Sequence, residues 1–351
     1  MNLDFASIAN VPRLLFEVPL RPLQGQRFQP TGFPGLGAAT FQTASGQSLL
    51  VESAQSMANR LELTVWDAAN NDLIVECKGL SHLRILRGIG STESERRKSE
   101  TTEFFTDTVL EAHRLNSPYV MFAKHQGRLF FDTLGEKMNA FEVGPVPRQS
   151  EIAKHFIYWD IGSLLHGAFL STKNEERKTL AGGRLRVARA LSAFIEADGV
   201  RVAASGGVKN DHVNPSGDTK AGFGNVPFVR DEFTADRITL YVNLDLGQIR
   251  GYGLGADAER LLILLALYKL RALLDGSLRL RTACDLEPAS DRVEARRPTG
   301  FVLPDAAALA NALRPAIDAC AHLMTVTEVR YDDELKKSKD KSDAGSDGNG
   351  D

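Results

Sequence analysis

The sequence predicts a globular fold of the α+β class. Residues 238–246 alternate apolar and polar side chains, which indicates a strand with one buried face. Ala54, Met57, Ala58 and Leu61 recur at the spacing of a single helical face. No stretch has the GxGxxG or GxxxxGK[ST] spacing, so a dinucleotide-binding fold and a P-loop ATPase are poorly supported.

The composition is that of a soluble protein with a sizeable core. The chain has 351 residues, of which 43% are hydrophobic and 25% charged. Its longest apolar run, residues 261–268, is far shorter than the roughly 20 residues that span a bilayer. The first residues lack the basic start and apolar centre of a signal peptide, so we expect a cytoplasmic location.

The net charge and the cysteine content argue against several further kinds of function and site. A formal net charge of −3 argues against a protein that coats nucleic acid non-specifically, but it leaves room for one basic groove. Cys77, Cys284 and Cys320 lie far apart with no CxxC pair, which favours reduced core residues over a disulfide or a zinc site. We expect no metal and no cofactor.

The first strand and the loop after it open the chain. Residues 13–20 place apolar side chains at every second position, which predicts a strand. Three prolines, Pro22, Pro30 and Pro34, then exclude regular structure from the segment that follows. This predicted surface loop carries cationic and amide side chains, namely Arg21, Gln24, Arg27 and Gln29.

The next element is a capped helix with a polar face. Ser53 is its expected N-cap, so backbone N–H groups at the positive helix end lie near that face. The polar face consists of Gln55, Ser56, Asn59 and Arg60. Such a face suits phosphate oxygens, although spacing alone favours one that is merely solvated.

Two segments in the middle of the chain are predicted to be helical. Residues 104–115 show approximate helical spacing after a polar stretch at 91–103. Residues 184–195 are predicted as a helix that carries Arg184, Arg186 and Arg189. These arginines form either a phosphate-facing patch or a solvated face paired with nearby glutamates, and the sequence favours neither.

Two glycine-rich segments follow. After a predicted strand at 200–204, a long segment rich in Gly, Asn and Pro carries Lys209, Lys220 and Phe223, the side-chain types that bind single-stranded nucleic acid. Residues 247–255 are predicted to be a Gly-rich loop between the 238–246 strand and a long apolar helix. That arrangement would present backbone N–H groups to an anion.

Motifs for catalysis are missing. The seven histidines are scattered without HExxH spacing, and neither a GxSxG elbow nor a kinase signature is present. Their absence makes an enzyme less favoured than a binding protein.

The chain resembles a known family, the RAMP-superfamily backbone subunit of type I-G (formerly I-U) CRISPR Cascade complexes. The resemblance rests on RPLQGQRFQPTGFP followed by LLVESAQSMANRLE, with support from HGAFLSTK, taken as helical, and from LDLGQIRGYGLG. It extends to about Tyr331. The first block is the most specific, whereas the Gly-rich loop alone is a weak signal.

The resemblance implies a fold and a domain organisation. The fold would be an RRM-like, ferredoxin-type palm with large insertions described as fingers and a thumb. We expect a single domain over residues 1–334, with a finger-like helical insertion at about 88–170 and a thumb at about 205–232. Residues 335–351, which are polar, are expected to form a disordered tail.

The resemblance also implies a non-catalytic role. Several copies would polymerise along one CRISPR RNA and present its bases for pairing with target DNA, together with other Cascade subunits. It favours RNA contact over solvation for the helix face after Ser53. The residues expected to contact RNA are Arg21, Gln24, Arg27, Gln29, Ser56, Asn59, Arg60, Arg184, Lys209, Lys220, Arg250, Gly251 and Gly253.

Two other functions remain as alternatives. One is a RAMP endoribonuclease that processes precursor CRISPR RNA, with His166 or His212 as its catalytic group. The other is a Gly-loop nucleotide-binding enzyme, which the motif spacing supports least.

Overall fold

The computed structural model describes Leu3 and residues 5–33, 37–44, 46–140, 148–173, 180–276 and 278–335. Of the predicted tail only Leu335 falls within these ranges, so that prediction lies outside the described residues.

The strands are β1 (Arg13–Pro22), β2 (Gly32–Phe33), β3 (Gly37–Ala38), β4 (Thr40–Thr43), β5 (Gly46–Glu52), β6 (Trp66–Asp67), β7 (Asp72–Leu73), β8 (His82–Gly88), β9 (Thr102–Asp107), β10 (Lys124–His125), β11 (Arg128–Leu129), β12 (Ala168–Leu170), β13 (Leu185–Val187), β14 (Leu191–Asp198), β15 (Arg201–Lys209), β16 (Val226–Thr234), β17 (Arg237–Asp245), β18 (Leu278–Arg281), β19 (Cys284–Pro288), β20 (Ala295–Arg297) and β21 (Val326–Arg330).

The α-helices are α1 (Ala54–Leu63), α2 (Glu93–Lys98), α3 (Pro118–Met121), α4 (Phe130–Lys137), α5 (Gln149–Trp159), α6 (Gly162–His166), α7 (Leu246–Gly251), α8 (Ala256–Asp275) and α9 (Ala306–Ala319). Short 3₁₀ turns lie at Ala6–Ile8, Val75–Cys77, Arg114–Asn116, Leu180–Gly183, Thr219–Ala221 and Ala321–Leu323.

The main sheet is eight-stranded and antiparallel, in the order β18-β19-β1-β17-β14-β5-β4, with β20 also paired to β1. Strand β1 pairs with β17 from Arg13–Asp245 to Leu20–Ile238. Its apolar side chains are buried at every second position, as the sequence predicted. The strands predicted at 13–20 and 238–246 are therefore confirmed, and they are neighbours in the middle of the sheet.

Helix α1 packs against this sheet and joins it to α8. The Ser53 cap is confirmed, because the Ser56 backbone N–H donates to Ser53 Oγ at 3.3 Å. Met57 and Leu61 are buried, and α1 contacts both β14 and α8. Helix α8 is buried nearly all round, because α1, α7 and α9 pack against it. No helix in the described ranges is long and apolar enough to cross a membrane.

A second, five-stranded sheet has the order β11-β10-β21-β8-β9 and contains a parallel pair, β8 with β21. The helix predicted at 104–115 is wrong, because residues 102–107 form β9 of this sheet and pair with β8. Residues 104–106 are half-buried along β9, and backbone pairing with β8 outweighs their approximate helical spacing.

The helix predicted over 184–195 is also wrong. Residues 185–187 form β13, and residues 191–198 form β14, whose burial alternates strictly along the strand. Alanine, leucine and arginine favour helices in isolation. Here β14 lies between β17 and β5, and pairing with both strands outweighs the intrinsic helix propensity. In HGAFLSTK only His166 is helical, since Ala168–Leu170 form β12, which pairs with β13.

The predicted Gly-rich loop at 247–255 is largely helical. Asp245 caps α7 by accepting a hydrogen bond from the Gln248 backbone N–H at 2.8 Å, and the helix continues to Gly251. Only residues 252–255 remain as a connection to α8. The continuous nest of N–H groups predicted for this segment is therefore replaced by ordinary helical hydrogen bonding.

A long hairpin stands apart from both sheets. The sequence predicted a short strand followed by a long loop, yet β15 and β16 pair in register from Arg201–Thr234 to Lys209–Val226. The loop is thus confined to the tip, residues 210–225. Most described residues from 201 to 231 are exposed, including Val213 and Val229. Only the base of the hairpin packs into the core, and the rest of its length is exposed.

Candidate nucleic-acid interface

The loop that follows β1 is anchored at one end. Phe28 is buried, and its backbone exchanges two hydrogen bonds with Phe233 of β16, at 2.9 and 2.8 Å. The Gln29 backbone N–H donates to the Ala283 carbonyl at 2.8 Å. These anchors hold residues 24–27 exposed on the surface between the hairpin base and the β18–β19 connection.

A cleft of about 810 Å³ lies beside this loop. We call it the loop groove, and residues of the loop, the hairpin and the β18–β19 region line it: Leu23, Gln24, Gly25, Gln26, Arg27, Arg230, Glu232, Gly276, Arg279, Ala283 and Asp285. A smaller cavity of about 370 Å³ shares Gly276 and Arg279 and extends to Arg60 of α1. The two together form a continuous surface from the loop to α1.

The loop groove has more cations than carboxylates. Arg27 is half-exposed, and its Nη1 lies 3.4 Å from Glu232, which also accepts from Arg230 Nε at 3.0 Å. Arg279 is 80% exposed and its Nε is 3.6 Å from Asp285. The exposed Arg279–Asp285 pair contributes little to stability, so Arg279 can turn to a phosphate at small cost. Glu232 is buried, but it keeps two hydrogen bonds from Arg230 when Arg27 turns away.

Two other predicted residues border the loop without lining the groove. Arg21 is exposed on β1, where its Nε donates to Glu287 of the neighbouring strand at 2.8 Å. Gln29 is half-buried, and Arg281 Nη1 donates to its carbonyl at 3.1 Å. Gln29 therefore fixes the loop through its backbone, and its side chain is less accessible than that of Gln24.

Arg60 is held inside the protein. Its Nε donates to Glu52 at 3.2 Å, and its two terminal nitrogens donate to the carbonyls of Arg279 and Leu280. Burial lowers the pKa of its guanidinium. All three donor groups of Arg60 thus have protein acceptors, whereas Ser56 and Asn59, on the same helix, lie outside the groove lining.

Arg250 is also engaged within the chain. Its terminal nitrogens donate to the carbonyls of Val11 and Ile8 at 2.9 Å each, and its Nε lies 3.3 Å from Glu259. Gly251 ends α7, and a Cβ placed there would meet no atom within 4 Å. Gly253 has a φ of +64°, which explains a glycine without requiring a ligand.

The remaining predicted contacts lie elsewhere. Lys209 ends β15, and Lys220 lies in the hairpin tip; both are exposed. Arg184 is exposed just before β13 and already has an interaction partner. The structure therefore brings Gln24 and Arg27 together in the loop groove, with Arg21 and Gln29 at its border. It disperses the other predicted contacts over α1, α7, β13 and the hairpin.

Sequence reasoning missed Arg230 and Arg279. Arg279 lies in the Leu-Arg-Leu-Arg alternation of β18, where the leucines are buried and Arg279 is exposed. That period-two pattern was a detectable signal for an outward-facing cation. Arg230 had no local signal, because its place in the groove depends on the hairpin base meeting the loop through Phe28 and Phe233.

Nucleophilic cysteine chemistry finds no support in this arrangement. All three cysteines are buried, and burial raises the pKa of Cys77 to about 12 and that of Cys284 to about 11. Both thiols are therefore protonated near neutral pH. Within the described ranges, no group of three His, Cys, Asp or Glu side chains could hold a metal ion.

Comparison with known proteins gives a family and two distant structural neighbours. A chain described as "CRISPR RNA-guided surveillance complex, pre-nicking" is 16% identical, with a TM-score of 0.34 over 89% of this chain and 85% of that one. Csc2 from Thermofilum pendens is 9% identical, with a TM-score of 0.31 over 91% of this chain and 80% of that one. No curated protein matches the sequence.

The match to a family model is the stronger finding. Residues 14–202, more than half of the chain, match the model described as CRISPR-associated protein GSU0053. The matched segment includes the loop after β1, the capped helix α1 and the β12–β13 pair. The chain belongs to the CRISPR-associated protein GSU0053 family.

Proposed function

We propose that this protein is a non-catalytic, RNA-binding backbone subunit of a type I-G CRISPR effector of the Cascade kind. Copies of it polymerise along CRISPR RNA and leave the bases free to pair with target DNA. The family match supports the CRISPR role, and the loop groove is the single structural observation that carries RNA binding. Base pairing supplies sequence specificity in such a system, so the protein needs to hold only the backbone.

Strand order supports the RRM-like palm in this proposal. Four strands of the main sheet are ordered β19-β1-β17-β14. Along the chain, α1 lies between β1 and β14, and α8 lies between β17 and β19. This is the βαββαβ connectivity of the ferredoxin-type fold, with extra strands at the edge and long insertions between the elements.

The proposed domain organisation follows the same elements. We assign residues 1–334 to one domain, residues of about 205–232 to the thumb and those of about 88–170 to the finger-like insertion. The exposed β15–β16 hairpin supports the thumb. The finger-like insertion packs onto the rest through its strands β9 and β10, which pair with β8 and β21 respectively.

The proposed phosphate contacts are the side chains that the fold leaves accessible to RNA. Gln24, Arg27 and Arg279 face the loop groove, and Lys209 and Lys220 extend the cationic surface along the hairpin. Arg60 and Arg250 serve the fold, since protein carbonyls and carboxylates occupy their donors. A chain with net charge −3 can then bind RNA, because only this surface has to be basic.

The experiment tests the groove by double substitution. Arg27→Gln with Arg279→Gln should weaken binding of cognate CRISPR RNA at least about tenfold and reduce the slope of log K against log salt by roughly 1.4. Fluorescence anisotropy over a salt series measures both quantities. Sedimentation of the wild-type protein on CRISPR RNAs of increasing length should show one added copy per length increment.

Arg292→Gln is the matched control, because the exposure of Arg292 lies between those of Arg27 and Arg279 and its side chain pairs with Glu294 at 3.2 Å, outside the groove. Equal RNA affinity in the double variant and this control would remove the loop groove from the proposal. A wild-type protein that stays monomeric with CRISPR RNA and the other effector subunits would contradict the backbone role.

The endoribonuclease alternative makes a different prediction. His212 is exposed at the hairpin tip, whereas His166 is only 1% exposed and its Nε2 lies 2.9 Å from Lys269 Nζ. Metal-independent cutting of precursor RNA that is lost on His166→Ala or His212→Ala substitution would favour this alternative over the backbone role.

A further inference from the structure

A second pocket, of about 980 Å³, shares no lining residue with the loop groove. We call it the β12–β13 pocket, because it lies where these two strands meet the 114–116 turn and the end of α6. Gly167 makes the junction possible. A Cβ at this position would lie 2.9 Å from the Val187 carbonyl oxygen and 3.1 Å from the Arg189 nitrogen. Glycine thus allows the chain after His166 to lie directly against Arg189.

Two buried hydrogen-bond donors at this junction have no acceptor in the part of the chain that the structure describes. Lys269 Nζ lies 2.9 Å from His166 Nε2, and burial lowers the pKa of Lys269. An amine donates to a ring nitrogen in either protonation state, and that hydrogen bond places the imidazole proton on Nδ1. Burial, followed by the charges of Lys269, Arg114 and Arg189, keeps the pKa of His166 well below its ordinary value, so the ring is neutral. His166 Nδ1 and Arg189 Nε are both buried without a hydrogen-bond partner among the described residues.

The lining of this pocket is basic. It includes Arg114, Arg186 and Arg189, and none of the described residues that line it is acidic. Arg114 is already neutralised, because both Glu62 carboxylate oxygens accept from it. Arg186 and Arg189 form no ion pair with any described residue. Arg186 and Arg189 therefore line one cavity, and the unpartnered nitrogens of His166 and Arg189 are buried at its wall, an arrangement that suits an oxyanion.

An exposed aromatic ring adjoins the cations. Phe169 is 51% exposed and lies directly opposite Arg186 in the β12–β13 register. Residues opposite each other in an antiparallel pair project to the same face, so ring and guanidinium share one side of the pocket. An exposed ring beside phosphate-binding groups can stack a nucleobase.

We propose that the β12–β13 pocket binds one nucleotide unit. A phosphate oxygen accepts hydrogen bonds from His166 Nδ1–H and Arg189 Nε–H, Arg186 supplies a second positive charge, and the base stacks on Phe169. The pocket volume is that of a nucleotide-sized ligand site. The nucleotide comes either from an RNA strand or from the free mononucleotide pool, since both present the same groups. The site does not depend on the loop groove.

The test uses full-length protein labelled with ¹⁵N-histidine, with the His166 Nδ1–H signal as the readout. Inorganic phosphate, AMP and a short single-stranded RNA are titrated separately. Phosphate and AMP should each shift the signal, and AMP should bind about tenfold more tightly because of stacking on Phe169. Tighter binding of RNA than of AMP identifies a strand as the source, and the reverse identifies the free nucleotide.

Substitutions separate the groups. Arg189→Gln should weaken the binding of phosphate and of AMP at least about tenfold. Arg186→Gln should have the same effect, and because Arg186 is exposed this substitution should not disturb folding. Phe169→Ala should bring AMP affinity down to that of phosphate. Arg292→Gln and the loop-groove variant Arg27→Gln should change nothing. Absence of any His166 shift with all three probes, or equal affinities in the Arg186, Arg189 and Arg292 variants, overturns the proposal.

Discussion

At the scale of single residues, a buried carboxylate explains where two arginines point. Glu52 is 1% exposed, and both Arg60 and Arg281 donate to it. A carboxylate removed from water is tolerated only when cations and donors surround it. The guanidinium of Arg60 thereby also joins α1 to the carbonyls of β18. Its position in the helix therefore has a structural reason that does not involve RNA.

Arg60→Ala should consequently lower the free energy of unfolding by about 1–3 kcal/mol, because Glu52 keeps only one of its two cations. Urea denaturation measures this change. Affinity of the folded variant for CRISPR RNA should stay near that of the wild type.

Arg21→Ala is the comparison for this measurement, since its partner Glu287 and Arg21 itself are more exposed. It should unfold at the same urea concentration as the wild type. If Arg60→Ala leaves stability unchanged and weakens RNA binding, Arg60 contacts RNA and its role is not structural.

The site residues show why sequence alone located only part of the interface. Gln24 and Arg27 were predicted because prolines and polar side chains in one local segment indicate a surface loop. Arg60 and Arg250 instead donate hydrogen bonds to carbonyls more than 200 positions away in sequence, at Arg279 and Val11 respectively. No local pattern contains that information.

At the scale of elements, local pattern succeeded where burial and periodicity agreed. Strand β1 and the Ser53-capped helix α1 were predicted because each has one buried face and a clear boundary. Strands β9 and β14 were predicted as helices, because their spacing or composition suits a helix. Pairing with neighbouring strands stabilises them as strands, and for β14 those neighbours, β17 and β5, lie far away in the sequence.

The hairpin allows a prediction at this scale. Residues 208–227 can be replaced by Asn-Gly, which joins Gly207 to Phe228, an opposed pair in the register. The variant should unfold within about 1 kcal/mol of the wild type, because nearly all of the removed residues are exposed. It should fail to assemble on CRISPR RNA. Differential scanning calorimetry and sedimentation measure the two outcomes.

Double substitution Lys209→Gln with Lys220→Gln, which leaves the hairpin length intact, is the control for charge. If the shortened protein assembles on RNA as the wild type does, the hairpin is not a thumb. If it unfolds at much lower temperature, the hairpin belongs to the core.

At the scale of the whole molecule, the chain resembled a CRISPR-associated family, and the family match over residues 14–202 confirms that much. The match ends inside β15, at residue 202, so its boundary does not coincide with a structural unit. Strand β17, which separates β1 from β14 in the sheet, comes only afterwards. The family match therefore covers only part of the main sheet, and strands from the rest of the chain complete it.

A fragment of residues 1–202 should for this reason show no cooperative unfolding transition. Without β17 and β19, strand β1 loses the partners that flank it. Circular dichroism during thermal denaturation checks this expectation, with residues 1–335 as the matched control. A fragment that melts cooperatively would show that the matched segment folds alone and would argue against a single domain over 1–334.

The central place of β1 also has a consequence for synthesis on the ribosome. Its long partner β17 ends at Asp245, more than two hundred residues after Pro22. At the usual rates of translation, the edges of β1 wait roughly 10 to 45 s for that partner. During this interval the alternating apolar side chains of the nascent strand are open to chaperones or to other unfinished chains. Expression yield should therefore depend on how fast the second half of the message is translated.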